Sequence, residues 1–500
     1  MRGLLTLVVV SCTLGGGPAA SQVSPLLPLD DPRLALIEHL ILRGDVRDPS
    51  TMLRPFRRVD AVRALAEADL DSAAPVGRTG AALADALADR PEEAWWRVAA
   101  RGGLQAVSRA RRDLLHPAGR GGVFPYADAT FEGRFGPITA ASRAAFENRL
   151  RYDPDYPGQD LVAPKRGAYR FIEAYGAAQF RWVRVQAGQV DRNWGPVGLP
   201  GLALSDYGYP RTDIEVQLGG RSLSFTALTA QLGSDTTATG ERVMRYFVAH
   251  RLAVRVGALH LALWETAVVA GESRRLEWAL RNPLTLLIFA DQFGQRPSRN
   301  AMLGGEVAWR VTGGLLLEGQ AAIDDWTFDD QNPYPNRWAF TVGAGGRLGG
   351  TASWRARYTT ATTLAFRTAS PFESFTDQAV GLGRGFADNE QLVATLGVVP
   401  LTTWLFTSEF AVLRQGEGRL TDPWPTAEAA ASLPTRLSGI VETTYRVGFG
   451  VAGWSGPLTV TASGGLHRTV NANHVPGARR TRLEGRMIAT LGLATGGAVR

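Results

Sequence analysis

The chain has 500 residues, a length that suits three or four soluble domains or one large barrel. It contains 57 glycines, 13 tryptophans, 20 phenylalanines and 11 tyrosines, an enrichment that fits an outer-membrane barrel. No apolar run of about 18 residues follows the first fifteen positions, which argues against membrane-spanning helices. The net charge of +7 comes almost wholly from arginine, and because no basic helix or block stands out, we expect no nucleic-acid partner.

The first 21 residues are predicted to be a secretory signal peptide. An apolar run from Leu4 to Val10 precedes small residues, and Ala19-Ala20-Ser21 offers a cleavage site. A lipoprotein site at Cys12 is the alternative, although the apolar core before it would be short. Cleavage after Ser21 would remove the single cysteine, and the mature chain would then have no disulfide, thiol nucleophile or cysteine metal ligand.

Residues 22–118 are predicted to form an N-terminal helical bundle. The patterns indicate four short amphipathic helices. The first begins at Asp31, which can cap its first turn, and ends at Gly44. The others are Val59–Leu70, Thr79–Asp89 and Pro91–Leu115. The bundle is either a self-contained domain or a unit that docks on another part of the chain. Docking is the alternative because four short Ala-rich helices bury little apolar surface alone.

Residues 119–500 alternate between apolar and polar side chains. In the stretch from Leu303 to Val311, for example, Val307 and Trp309 share one face while Glu306 and Arg310 share the other. About seventeen candidate strands follow this pattern, and many are longer than the about 5–6 residues typical of soluble sheets. With tryptophan and tyrosine near strand ends, the pattern favours a transmembrane β-barrel over a soluble β protein. Because bacterial barrels have even strand numbers, the pattern implies 16 or 18 antiparallel strands. The charges on the inner face then require a lumen that is water-filled or cross-paired.

The stretch from Gly188 to Pro210 interrupts the alternation. It carries Asp191, Arg192 and Trp194 directly before the turn-forming pair Gly195-Pro196. One interpretation is a long surface loop between two strands. The other is a shaped loop that folds into a cavity and presents an aromatic face with polar neighbours.

Two later segments also lack alternation. The first runs from Arg274 to Gly294 and contains Asn282-Pro283, which most simply forms a turn. The second runs from Arg367 to Glu390 and is expected to be a long extracellular loop.

With these segments identified, the chain resembles the Wzi family of capsule-assembly proteins of the Gram-negative outer membrane. Four stretches carry the resemblance: Asp191 to Pro196 with Leu204-Ser205, Glu277-Trp278 through Asn282-Pro283-Leu284, Asn300 through Asp324-Asp325, and Gly381-Leu382-Gly383 with Asp388. Their order and spacing extend the resemblance over most of residues 30 to 500. The chain ends in Gly-Gly-Ala-Val-Arg instead of a terminal aromatic residue, which leaves the position of the last strand open.

The resemblance implies an 18-stranded barrel in the outer membrane, with the helical bundle plugging its periplasmic end. It also implies a lectin that attaches capsular or surface polysaccharide to the cell, with no enzymatic activity and no cofactor. Outer-membrane lipid and polysaccharide export machinery are the other partners it suggests. An outer-membrane porin or transporter for anionic or sugar solutes is the alternative function.

Several residues are candidate polysaccharide ligands. Sugar binding uses aromatic faces and planar polar groups, and arginine can grip a carboxylate with two prongs. These types occur together in Asp191, Arg192 and Trp194, and Ser205 and Tyr207 follow in the same loop. The structural alternative is that Trp194 packs inside the barrel and that Asp191 pairs with Arg192 or with an arginine of the barrel wall.

Asp324 and Asp325 are the remaining candidates, at a strand end. They could bind a sugar or a cation, but adjacent carboxylates in a strand point to opposite faces, so we predict no metal site. A structural or loop-capping role is favoured for this pair. Gly195, Pro196, Asn282 and Pro283 are predicted to be structural motif residues.

Catalysis has little support in the sequence. The chain has six histidines but no Gly-x-Ser-x-Gly, His-Glu-x-x-His or His-x-x-Glu-His motif. His250 shares an apolar face with Val248 and Leu252, a poor environment for a general base. We therefore predict that the protein is not an enzyme, with a barrel hydrolase acting on lipid or glycan as a third class.

Overall fold

The computed structural model describes residues 23–50, 52–89, 92–159, 167–277, 280, 282, 285–287, 299–326 and 332–499. The predicted signal peptide, including Cys12, lies outside the described residues, as do Pro283 and Leu284.

Three helices precede the sheet: α1 (Pro32–Arg43), α2 (Arg58–Ala66) and α3 (Pro75–Leu87). The predicted first helix is confirmed, since the Asp31 side chain accepts a hydrogen bond from Arg33 N and Gly44 ends the helix with a φ of 86°. The helices do not form a separate core, because their apolar faces pack with Val399 and Leu405 of the sheet. The docking alternative is therefore the one observed.

The predicted fourth helix, Pro91–Leu115, is wrong. Ala94–Val107 forms a 14-residue strand, so the sheet begins well before the predicted boundary at residue 118. The paired glycines at 102 and 103 disfavour a helix, and the strand instead completes its hydrogen bonding with neighbours on both sides. Its tryptophans separate accordingly, with Trp95 buried and Trp96 on the other face.

Eighteen long antiparallel strands are present among the described residues, which confirms the predicted strand number. They are β1 (Ala94–Val107), β2 (Gly122–Phe135), β3 (Ile138–Glu147), β4 (Tyr169–Phe180), β5 (Val183–Val190), β6 (Arg211–Gly219), β7 (Leu223–Gln231), β8 (Arg242–Val256), β9 (Leu259–Glu272), β10 (Asn300–Thr312), β11 (Leu315–Asp325), β12 (Arg337–Leu348), β13 (Ala352–Ala361), β14 (Asn389–Leu401), β15 (Trp404–Gln415), β16 (Glu442–Ser455), β17 (Leu458–Val470) and β18 (Arg479–Ala498). A two-residue strand, Asp235–Thr236, only extends the β7–β8 connection.

The sheet closes on itself. Strand β18 pairs with β17 on one side and with β1 on the other, in a register that runs from Trp95 opposite Ala498 to Val107 opposite Arg486. Closure removes both sheet edges, and the last strand occupies its place although the chain lacks a terminal aromatic residue.

The two ends of the barrel differ in their connections. Eight turns of two or three residues lie at one end: 136–137, 181–182, 220–222, 257–258, 313–314, 349–351, 402–403 and 456–457. The connections at the other end range from eight residues (471–478) to twenty-seven (273–299). Outer-membrane barrels have short periplasmic turns and long extracellular loops, so the short-turn end is periplasmic.

The helices close the short-turn end. Arg43 at the end of α1 donates to the carbonyl of Gly350 at 2.8 Å, and His39 Nε2 lies 3.1 Å from the carbonyl of Thr351. Arg310 of β10 in turn donates to the carbonyls of Ile41 and Leu42. The helices α1–α3 and the chain that joins them are therefore a plug bonded to the rim of the barrel.

The outer wall is apolar and the inner wall is ionic. Leu263, Val447 and Phe449 are 65–70% exposed on the outer face, and aromatic side chains such as Phe180, Trp309, Tyr169 and Tyr445 lie exposed near the two ends. The inner face carries cross-strand pairs such as Arg184 with Glu215 at 3.0 Å and Arg143 with Asp128 at 3.2 Å. The predicted cross-pairing of the lumen is thus confirmed.

Three described leucines of the connection 273–299 pack against the outside of the barrel. Leu276, Leu280 and Leu287 contact Val248 and Val269, which face outward from β8 and β9. The backbone N–H of Leu287 donates to Glu265 at 2.7 Å, and Glu265 also pairs with His250. This segment covers polar groups that would otherwise face lipid. No helix among the described residues is long and apolar enough to cross a membrane.

Candidate functional site

The loop 191–210 folds into the lumen, as the second of the two interpretations predicted, but it does not present the aromatic face that the same interpretation expected. Its residue Asn193 forms a pair of backbone hydrogen bonds with Arg54 of the plug, at 3.0 and 3.1 Å. On the far wall, the Gln320 side chain accepts from Leu202 N and donates to Trp194 O, both at 2.8 Å. The loop therefore spans the lumen from β5 to β11.

Trp194 lies fully buried in this loop. Its exposed fraction is 0%, and it packs in an apolar cluster with Leu202, Phe247 and Trp264. The turn around it is tight, since a Cβ on Gly195 would lie 2.4 Å from the Cα of Gly201. The indole therefore has no face available for a sugar, and the geometry matches the packing alternative.

Arg192 is also buried, and it holds the loop to the wall. Its guanidinium binds Asp213 at 2.8 and 2.9 Å and Glu215 at 2.6 Å. These carboxylates lie on the neighbouring strand β6, and they engage the two sides of the guanidinium fork. Arg192 is thus committed to internal ion pairs.

The apex of the loop rests on two arginines of β13. Arg355 and Arg357 both donate to the carbonyl oxygen of Val197, and the plug residue Arg54 donates to the carbonyls of Gly195 and Pro196 at 2.9 and 3.1 Å. Carbonyls of a loop without regular structure need such partners when they are buried. The Gly195-Pro196 turn is therefore held in place by side chains of the wall and the plug.

A second loop, 362–388, meets the first at the long-loop end. Ser205 N donates to Leu382 O at 2.9 Å, and Ser205 Oγ donates to Gly383 O at 2.5 Å. The same hydroxyl accepts from Tyr207 N at 3.1 Å. A Cβ on Gly385 would lie 2.1 Å from the Tyr207 ring, so this close approach requires glycine. Ser205 is buried and positions Tyr207.

Tyr207 belongs to a group of side chains that we name the mouth cluster: Asp113, His116, Tyr207, Arg384 and Phe386. The Phe386 ring centroid lies 4.4 Å from that of His116 and 5.9 Å from that of Tyr207, and the Arg384 guanidinium lies 4.6 Å from the same ring. The Asp113 carboxylate accepts from Tyr207 Oη at 3.2 Å and lies 2.5 Å from His116 Nδ1. Three loops, 108–121, 191–210 and 362–388, therefore meet at this point.

The electrostatics of the mouth cluster follow from its burial. Burial lowers the pKa of the Arg384 guanidinium to about 9, against the opposing effect of Asp113. Burial alone would raise the pKa of Asp113, but His116 and hydrogen bonds reverse the effect and hold that pKa well below its usual range. Among the described residues, Arg384 Nη1 and His116 Nε2 have no hydrogen-bond partner. The cluster thus holds two buried, unpaired nitrogens behind the partly exposed rings of His116, Tyr207 and Phe386.

Asp191 lies beside the mouth cluster, at the start of the loop. It is 21% exposed and faces Arg112 at 3.6 Å, so it pairs with an arginine other than Arg192. Burial raises the pKa of the Asp191 carboxyl to about 7, although Arg112 acts in the opposite direction. Arg112 also stacks on Tyr209 at 4.7 Å and donates to the carbonyl of Asp206 at 3.0 Å.

Asp324 and Asp325 point to opposite faces, as predicted. Asp324 is buried and accepts from Phe366 N at 2.9 Å, which is a loop-capping contact. Asp325 is exposed and accepts from Arg337 at 2.9 Å. Among the described residues, no group of three or more His, Cys, Asp or Glu side chains could hold a metal ion.

Arg337 connects Asp325 to a second aromatic group on the rim. Its guanidinium lies 5.3 Å from the Trp424 ring, and the Trp424 and Tyr334 ring centroids are 5.2 Å apart. We name Tyr334, Arg337 and Trp424 the rim cluster. Asn282 is exposed.

The sequence interpretation missed most members of both clusters. Asp113 lay at the end of the predicted fourth helix, and His116 followed directly after it. Arg384 and Phe386 lay in a loop that was expected to be extracellular. The Gly-Arg-Gly-Phe order of residues 383–386 was the available signal, because glycines beside an arginine and an aromatic residue indicate close packing.

Fold and site together define the class. The protein is an outer-membrane β-barrel with a plugged periplasmic end and loops folded into its lumen.

Comparison with solved structures supports this class. The fold is similar to that of Wzi of Escherichia coli, with a TM-score of 0.64 and 14% identity over 94% of this chain and 99% of that chain. Wzi is described as an outer-membrane protein involved in group 1 capsule assembly and as a carbohydrate-binding β-barrel. The predicted resemblance is therefore confirmed at the level of the fold.

A likeness to OprD of Pseudomonas aeruginosa is weaker, with a TM-score of 0.45 and 11% identity over 80% of this chain and 95% of that chain. No protein-family model matches the chain, and no curated protein matches it either.

Proposed function

We propose that this protein is a non-enzymatic, lectin-like barrel that binds capsular or other surface polysaccharide at its long-loop end and so attaches it to the cell. The observation that carries the proposal is the mouth cluster. Its aromatic rings and guanidinium lie side by side, and two of its buried nitrogens have no partner among the described residues. Glycan sites combine these elements, because rings cover the apolar side of a sugar and polar groups grip its hydroxyls or carboxylates.

The location of the clusters also supports the proposal. The mouth cluster and the rim cluster both lie at the long-loop end, which faces the cell exterior in outer-membrane barrels. Tyr207 is a member of the mouth cluster, and Asp191 and Ser205 adjoin this cluster. Asp325 adjoins the rim cluster. Since a polysaccharide chain is long, one chain can contact both clusters at once.

The contents of the lumen favour attachment over solute transport. The plug, the loop 191–210 and the loop 362–388 all lie inside the barrel wall and bond to each other or to it. A porin needs a continuous aqueous path, and a tightly packed cluster around Trp194 obstructs one.

We therefore expect no steady ionic conductance when the purified protein is inserted in a planar lipid bilayer. A variant in which residues 195–203 are replaced by a short glycine-serine linker removes the part of the loop that crosses the lumen. It should conduct measurably more than the wild type. Large, stable wild-type channels would instead favour the porin alternative.

The likeness to Wzi supports the proposal through the fold, and the carbohydrate binding of that protein is the precedent for it. We extend the proposal to partners on the same basis. Surface polysaccharide is the ligand and outer-membrane lipid surrounds the apolar wall. The plug faces the periplasm, where export machinery could contact it.

Binding of the purified, detergent-solubilised protein to the host's own surface polysaccharide tests the proposal. Tyr207→Ala and Trp424→Ala each remove one ring from a different cluster, and each should weaken binding about tenfold, or about 1.4 kcal/mol. Tyr445→Ala is the matched control, because that tyrosine is exposed on the outer wall of the barrel.

The control should bind like the wild type, and all three variants should be recovered as folded barrels in similar amounts. Equal affinity for wild type, Tyr207→Ala and Trp424→Ala would show that neither cluster contacts the glycan. Absence of wild-type binding would contradict the lectin proposal itself.

A further inference from the structure

A second candidate site lies at the opposite end of the barrel, between the plug and the inner wall. Two adjoining cavities of about 410 and about 420 Å³ share Pro49, Ser50, Arg255 and His260 as lining residues. The turn residues Arg181, Trp182 and Arg221 also line the first of them, which places it at the short-turn end. We name these joined cavities the plug–wall cleft.

The lining of this cleft is strongly basic. It includes eleven arginines and one histidine against four carboxylates: Arg47, Arg54, Arg57, Arg63, Arg181, Arg184, Arg192, Arg221, Arg251, Arg255, Arg310 and His260 against Asp48, Asp60, Glu215 and Glu306. The second cavity has no acidic lining residue among the described residues. Clefts lined by one sign of charge concentrate the field and attract ligands of the opposite sign.

Internal ion pairs use only part of this charge. Asp48 accepts from both Arg221 and Arg255, and Glu215 accepts from both Arg184 and Arg192. Each of these carboxylates is therefore shared between two guanidiniums. Carboxylates behind the lining neutralise more of the charge, since Glu38 pairs with Arg54, Glu67 with Arg63 and Arg221, and Asp213 with Arg192. With these three included, eleven arginines meet seven carboxylates, and the excess positive charge lies on Arg47 and Arg181, which have no salt bridge among the described residues.

An exposed aromatic side chain stands at the edge of the cleft. Trp182 is 63% exposed, and the guanidinium of Arg181 lies 4.6 Å from its ring. Leaving such a large ring in solvent is costly, and its apolar face is suited to stacking on a sugar ring. Arg47, another exposed arginine of the cleft, lies on the plug side.

We propose that the plug–wall cleft binds a carboxylated glycan strand from the periplasmic side, with arginines holding the carboxylates and Trp182 stacking on a sugar ring. Arginine forks match carboxylate geometry, and the cavity volumes lie within the range of about 300–1,000 Å³ typical of ligand sites. The aromatic platform favours a glycan over an acidic peptide. This inference rests on the proposed function only in taking a glycan as the kind of ligand. The site itself is a different one, at the other end of the barrel.

Titration of the full-length, detergent-solubilised protein with tetragalacturonate tests the site, with cellotetraose as the neutral probe of equal length. Wild type should bind tetragalacturonate at least tenfold more tightly than cellotetraose, and added salt should weaken that binding. Arg181→Glu, Arg47→Glu and Trp182→Ala should each weaken it about tenfold. Arg78→Glu is the matched control, because Arg78 is exposed on α3 and does not line the cleft.

The losses in Arg181→Glu, Arg47→Glu and Trp182→Ala should be of the same size when Tyr207→Ala is also present, which separates this site from the mouth cluster at the other end. Carboxylated fragments of the host's surface polysaccharide and of its cell-wall glycan, titrated separately, distinguish the two sources of the ligand. Equal losses in Arg181→Glu and Arg78→Glu would overturn the proposal. Tighter binding of polyglutamate than of tetragalacturonate would also overturn it, in favour of an acidic peptide.

Discussion

Replacement of Trp194 by alanine is expected to lower the free energy of unfolding by about 3–5 kcal/mol, the range for removing a large buried aromatic side chain. Trp194 is 0% exposed and packs against Leu202, Phe247 and Trp264 in the lumen. Its loss leaves a cavity where the loop and the wall meet. Urea unfolding of the solubilised barrel measures the effect, and hydrogen exchange of residues 194–204 shows whether the loop opens first.

Trp326→Ala is the matched control, since that tryptophan is 49% exposed at the long-loop rim. It should change the unfolding free energy by less than about 1 kcal/mol, as is usual for partly exposed positions. An unchanged stability in Trp194→Ala, combined with weaker polysaccharide binding, would contradict the packing role and make Trp194 a ligand contact.

Replacement of Arg192 by leucine is expected to have an effect of similar size, about 3–5 kcal/mol, because it leaves two buried carboxylates without their shared cation. Arg192 binds Asp213 and Glu215 at 2.6–2.9 Å, and all three side chains are buried. The same urea unfolding experiment measures the loss. The folded barrel should also be recovered in lower amounts.

The double variant Arg192→Leu, Asp213→Asn tests the cause, because Glu215 keeps Arg184 as its partner. The neutral amide removes the uncompensated charge of Asp213 while keeping the shape of the site, so most of the lost stability should return. If the double variant is no more stable than Arg192→Leu, the loss comes from packing and not from uncompensated charge.

The barrel could be predicted because the outer face of its wall contacts lipid and the inner face lines a polar lumen. Alternation such as that of Val307 and Trp309 against Glu306 and Arg310 reflects a lipid-facing outer wall and an ionic inner wall. The same rule failed at Ala94–Val107, where alanines made the segment resemble the preceding helices. There the strand conformation is decided by pairing with β18, almost 400 positions away in the sequence. Local periodicity carries no information about such a distant partner.

The candidate site was less predictable for a physical reason. The sequence identified the loop 191–210 and its chemistry, but not which side chains would be buried by distant partners. Arg192 and Trp194 became internal because β6 supplies carboxylates and the lumen supplies an apolar cluster. Tyr207 met Asp113 and Phe386 only because three loops converge at one end of the barrel.

The fate of the polysaccharide on living cells tests the central claim most directly. The gene is deleted in the host, and polysaccharide is then quantified separately on washed cells and in the culture medium. We predict that most of it moves from the cell surface to the medium, that wild-type protein restores attachment, and that Tyr207→Ala restores it only in part. If the coat of the deletion strain stays attached, this barrel does not hold polysaccharide on the cell.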